Sequence, residues 1–90
     1  MKLNHASKLN EVAGEFMVIN TQTQTASLSR IYSLNRSAAW LWKRIGEEEF
    51  TEEMLVDWLC AEYVLDRDIA RKDVHNLLML WIKSGMVLTE

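Results

Sequence analysis

The chain has 90 residues with no proline, three glycines and one cysteine, which describes one small domain and leaves little room for an enzyme with its own cofactor site. Its 49 % apolar content supports a core, while 13 acidic against 10 basic residues give a formal charge of −3 and no bulk attraction to nucleic acid or to an anionic membrane. A lone cysteine, Cys60, rules out an internal disulfide and suits a reducing, cytoplasmic setting, and no window approaches the roughly eighteen apolar residues needed to span a bilayer.

Before Gly46 the sequence is rich in β-branched and aromatic residues and poor in helix formers. It predicts strands over Lys8 to Val12 and Glu15 to Ile19 joined at Ala13-Gly14, a polar turn from Thr21 to Thr25, and a third strand from Ala26 to Leu34. Alternation puts Ala26, Leu28, Tyr32 and Leu34 on one face of that strand, with Ser27, Ser29, Ile31 and Ser33 on the other. Arg30 interrupts the apolar face, so a bulge or bend is expected near it. The N-terminal residues before Lys8 read as a polar arm.

At Asn35 the hydrophobic period changes from 2 to 3.6. Asn35 is an N-cap, Ala38, Leu41, Trp42 and Ile45 form one helical stripe, and Gly46 ends it. Thr51 caps a second helix with Glu52 and Glu53 in its first turn and Leu55, Trp58, Leu59 and Glu62 at helical spacing, ending near Val64. Asp66 caps the third, whose stripe is Ala70, Val74, Leu77, Leu78 and Trp81, stopped by Gly85. Met86 to Leu88 either adds a short strand or covers the core. The fold class is therefore α+β, a three-stranded antiparallel sheet followed by three helices, in a single domain over residues 1–90. Its helices and sheet resemble a winged helix-turn-helix.

Residues that could carry chemistry are scattered. His5 and His75 have no second histidine or cysteine at i+3 or i+4, so no metal site assembles from neighbours. No serine sits in a GxSxG elbow, and no glycine spacing suits a phosphate loop. The carboxylates at helix starts are explained by capping and the helix dipole. Neither a cofactor nor an enzymatic role is expected. A DNA-reading third helix would combine Arg67, Arg71, Lys72 and Lys83 with Asp66, Asp68 and Asp73, so the one-sided basic stripe needed to neutralise phosphates is missing.

The segment SLNRSAAWLWKRI, then TEEMLVDWLCAEYVLDRDIARKDVHNLL and the closing KSGMVL, resembles the PqqD-like family of peptide chaperones and recognition elements for ribosomally made, modified peptides. Leu34-Asn35, Ala39, Trp42, Thr51, Leu55, Val56, Leu59 and Tyr63 carry the resemblance, with Asp66, Ala70, Asp73, Val74, Leu77, Leu78 and Gly85 in the third helix. The resemblance implies a non-catalytic domain that captures the leader segment of a precursor peptide by β-strand addition and delivers it to a maturation enzyme, such as a radical SAM protein. The peptide is expected along the third strand, at Ser27, Leu28, Ser29, Arg30, Ile31 and Tyr32. It would touch a flank of the third helix formed by Asp73, Asn76, Leu77 and Leu80. Asp73, Asn76 and Leu80 fall near 260°, 200° and 240° when Val74 is set to zero at about 100° per residue, so they share a ridge with Leu77 at the groove floor. Met79, Leu80 and Trp40 stand off the buried stripes, where exposure would support a homodimer or a partner contact. Two rival functions are a winged-helix DNA-binding regulator and a scaffold subunit of a partner enzyme.

Overall fold

At Ala13 and Gly14 the backbone φ values are +54° and +81°, the pair of left-handed conformations that a two-residue hairpin turn demands. In the computed structural model, which describes residues 1–20 and 30–89, this turn joins β2 (Ser7–Val12) to β3 (Glu15–Asn20), with Val12 opposite Glu15 and Leu9 opposite Val18. β1 is Lys2–Leu3, and β4 is Arg30–Leu34, antiparallel to β3 with Phe16 opposite Leu34 and Val18 opposite Tyr32. The sheet order is β2-β3-β4. Residues 26–29 of the expected third strand lie outside the described residues. One face of the sheet turns Val18 and Leu34 into the core with half-buried Leu9, Phe16 and Tyr32, and the other leaves Lys8, Val12, Glu15 and Ser33 exposed, as the pleat requires.

The three helices begin where capping chemistry places them. Asn35 Oδ1 accepts from the Ala38 N–H at 2.8 Å to open α1 (Arg36–Ile45), and Thr51 Oγ1 accepts from the Met54 N–H at 3.1 Å to open α2 (Glu52–Glu62). Asp66 Oδ1 accepts from the Asp68 N–H at 2.8 Å to open α3 (Arg67–Lys83). Each cap satisfies a donor that the first helical turn cannot. α2 stops at Glu62, short of Val64, because Tyr63 is already extended. Leu55, Val56 and Leu59 form its buried stripe. Trp42 and Trp81 meet edge to face, centroids 5.2 Å apart, joining α1 to α3 at the centre of the core.

The N-terminus differs from the expected polar arm. β1 pairs with β5 (Val87–Leu88), Leu3 opposite Val87, in a second, two-stranded sheet. The terminal ammonium donates to the Phe50 carbonyl at 3.0 Å, and the Phe50 N–H donates to the Met1 carbonyl at 2.8 Å. Backbone pairing, to which polar side chains are indifferent, fastens this segment. Phe50, following three glutamates, is buried by the same clamp.

Candidate functional site

The end of β4 runs directly into the Asn35 cap, and the first turn of α1 then faces the middle of α3 across a groove of about 770 Å³. Ala38, Leu41, Leu59, Val74 and Leu77 give it an apolar floor, while Arg36, Tyr63, Leu65, Asp73, Asn76 and Leu80 stand around it. The four helix residues expected at the site, Asp73, Asn76, Leu77 and Leu80, are thus brought together on one wall. Leu80 is 51 % exposed and Leu77 half-buried, the division expected of a rim and a floor. The opposite wall, Asn35 to Ala38 with Leu59, Tyr63 and Leu65, was not legible from spacing, because it is assembled from three separate elements. Tyr63 and Leu65, apolar residues in a short interhelical link, were the available signal.

The outer edge of β4 has no partner strand among the described residues. Which of its backbone groups face outward follows from the hairpin. A two-residue turn makes Val12 and Glu15 a hydrogen-bonded pair, so pairs alternate along β2 and β3. Glu15, Met17 and Ile19 therefore bond to β2, while Phe16, Val18 and Asn20 bond to β4 through Leu34, Tyr32 and Arg30. The N–H and C=O of Ile31 and Ser33 are consequently directed to the open edge. Of the six strand residues expected at the site, Arg30, Ile31 and Tyr32 lie in β4. Ser27, Leu28 and Ser29 lie outside the described residues.

The other flank of α3 is occupied by ion pairs with α2. Arg67 Nη2 lies 2.5 Å from Glu53 Oε2 and 2.6 Å from Asp57 Oδ1, and Arg71 Nη1 lies 2.7 Å from Glu53 Oε1. Hydrogen bonds from Arg71 and Arg67 hold the Glu53 carboxyl below the usual glutamate range, bonds to Asp57 and Glu53 raise the Arg67 guanidinium above its ordinary value, and the bond to Glu53 raises that of Arg71. His75 Nδ1 is 3.3 Å from Glu52 Oε1 on the same seam. Two of the four cations that a DNA-reading α3 would use are therefore already committed to carboxylates. Among the described residues no group of three His, Cys, Asp or Glu side chains is gathered as for a metal, and no helix is long and apolar enough to cross a membrane.

Met79 is 53 % exposed and points away from the flank that carries Leu80, so no single apolar face contains both. Trp40 is partly exposed. Although it stands off the α1 stripe it is half-buried, its ring edge-on to Tyr63 at 6.0 Å, because the end of α2 reaches over it.

The whole fold has counterparts among solved structures. TbiB1 in complex with the TbiA(beta) leader peptide superposes with a TM-score of 0.79 at 22 % identity, over 100 % of this chain and 98 % of that one. Lasso peptide synthetase B1 complexed with the leader peptide gives a TM-score of 0.72 at 19 % identity, over 97 % of this chain and 95 % of that one. At these identities the likeness establishes the fold. No curated protein shows significant similarity to the sequence. The family model for coenzyme PQQ synthesis protein D (PqqD) matches residues 2–87, and the chain belongs to the PqqD family.

Proposed function

We propose that this chain is a non-catalytic recognition module that binds the leader segment of a ribosomally synthesised precursor peptide and presents it in the cytoplasm to a modifying enzyme, of which a radical SAM protein is one kind. The observation that carries the reading is the continuity of an open strand edge with an apolar-floored groove. β4 ends at Leu34, and the next residue, Asn35, lines the groove. An extended peptide added to β4 would take hydrogen bonds from Ile31 and Ser33 and drop a side chain between α1 and α3, where Leu77 and Leu80 supply apolar contact and Asp73 and Asn76 set register. Two solved structures that share the fold were each determined with a leader peptide, which supports the reading. Main-chain pairing plus one or two anchors corresponds to micromolar or somewhat tighter binding, about −8 kcal/mol.

The test uses a labelled synthetic peptide spanning the N-terminal segment of a short open reading frame beside the gene, titrated into the wild type and two variants. Leu80→Glu changes a rim side chain and leaves stability within about 0.5 kcal/mol, but it is expected to weaken the peptide about tenfold or more by loss of an apolar anchor. Ile31→Pro deletes an outward N–H that β3 does not use, and edge strands tolerate proline, so the variant should fold and bind poorly. A peptide that binds unchanged to both folded variants refutes the groove.

A further inference from the structure

Among the described residues every cation of α1 is free of a carboxylate. The helix RSAAWLWKRI carries Arg36, Lys43 and Arg44 and no acidic residue. Among the described residues no acid lies within ion-pair distance of any of the three, whereas Arg67 and Arg71 of α3 are both paired. With Ala38 at zero and about 100° per residue, Lys43, Arg36, Trp40 and Arg44 fall near 140°, 160°, 200° and 240°, opposite the buried stripe. They form one exposed ridge with a half-buried tryptophan in its middle. Aromatic rings fix its far end, where the Arg44 guanidinium stacks 4.7 Å from the Trp58 ring centroid and Lys43 Nζ lies 5.1 Å from that of Phe16. Such contacts orient a cation without neutralising it.

The ridge is continuous with the groove. Arg36 and Tyr63 line the groove, Tyr63 meets Trp40 edge-on, and Arg44 lies one turn beyond Trp40. Building on the proposed function, we infer that the α1 ridge is a second binding surface, which takes an extended acidic segment of the precursor peptide where the peptide continues beyond the groove. Arg36 and Arg44 are eight residues apart, about 12 Å along the helix axis, a span that about four extended residues cover. Carboxylates about four positions apart would reach both guanidinium groups, with the intervening side chain on Trp40. In a chain of net charge −3, a locally positive ridge also selects against neutral and basic peptides, which gain nothing there.

Octaglutamate tests the ridge alone, because it carries no apolar group for the groove. Titrated into the isotopically labelled full chain at low ionic strength, it is expected to shift the backbone amides of Arg36 to Arg44 and the Trp40 indole N–H. The shifts should disappear in about 0.5 M NaCl, and octaglutamine should cause none. The double variant Lys43→Gln, Arg44→Gln, at two exposed ridge residues outside the groove, should weaken octaglutamate about fivefold or more while a groove-binding leader with no acidic residues keeps its affinity. Shifts confined to α3, or an unchanged affinity in the folded double variant, would overturn the inference and leave the proposed function standing. Salt-sensitive self-association through α1 would overturn it equally, by assigning the ridge to a second copy. Loss of leader binding at β4 with octaglutamate binding intact would instead count against the function.

Discussion

Asn4 is one of two buried polar residues among the described residues, 4 % exposed, and its bonds tie the first residues of the chain to the last. Its Nδ2 donates to the Gly85 carbonyl at 3.0 Å, its Oδ1 accepts from the Ala6 N–H at 3.0 Å, and its own N–H donates to the Met86 carbonyl at 2.9 Å. Truncating the side chain removes the Asn4 partner of the Gly85 carbonyl and of the Ala6 N–H, both part-buried, and losing such bonds costs about 1–3 kcal/mol. Asn4→Ala is therefore expected to lower stability by about 2 kcal/mol or more in urea denaturation with an unchanged slope. Asn4→Asp keeps the acceptor but sets a carboxylate oxygen against the Gly85 carbonyl at a buried position, so at neutral pH it should be at least as destabilised as Asn4→Ala. Equal stability of all three proteins would show that the clamp contributes nothing.

At the scale of elements, the α2 to α3 seam is electrostatic on its outer side and apolar within. Glu53 receives both Arg71 and Arg67 and is held below its ordinary value of 4.5. A carboxylate whose folded value is depressed contributes stability above its unfolded value, and that contribution is lost as pH falls through the folded one. Glu53→Gln should thus be less stable than wild type at neutral pH, and the gap should close on acidification below about pH 4. It should also shrink in about 1 M salt, because the pairs are exposed. A gap that persists in acid assigns the effect to packing. The elements themselves were largely legible in sequence, since Asn35, Thr51 and Asp66 announce helix starts by local capping, and Gly14 marks a hairpin by its backbone alone. β1 was not, because a two-residue strand such as Lys2–Leu3 has no period to detect, and its partner lies at the opposite end of the chain. The same distinction governs the site. Asp73, Asn76, Leu77 and Leu80 share one helix, so spacing alone gathers them. Arg36, Tyr63 and Leu65 reach the groove only through the mutual packing of α1, α2 and α3.

Across the whole molecule the core is unevenly shared. Among the described residues the helices, Phe50 and the segment Met86-Val87 supply nearly all the fully buried apolar side chains, while the three-stranded sheet contributes Val18 and Leu34, helped by half-buried Leu9, Phe16 and Tyr32. Elements with few buried contacts open at lower free energy than the global unfolding. In the free protein the amides of Phe16 and Val18, which bond across to β4, should therefore exchange through a partial opening, ahead of the core amides of α1 and α3. A leader peptide that bridges the outer edge of β4 to the groove would bind only the closed arrangement, and so would tie the sheet to the helices. With peptide at about 100 times its Kd the closed state gains about 2.7 kcal/mol, which slows exchange through that opening about a hundredfold. Hydrogen exchange should show this protection at Phe16 and Val18, together with new protection at Ile31 and Ser33. A ligand confined to the helices would slow exchange in α1 and α3 and leave the β3 to β4 amides as they were, and that result would refute strand addition.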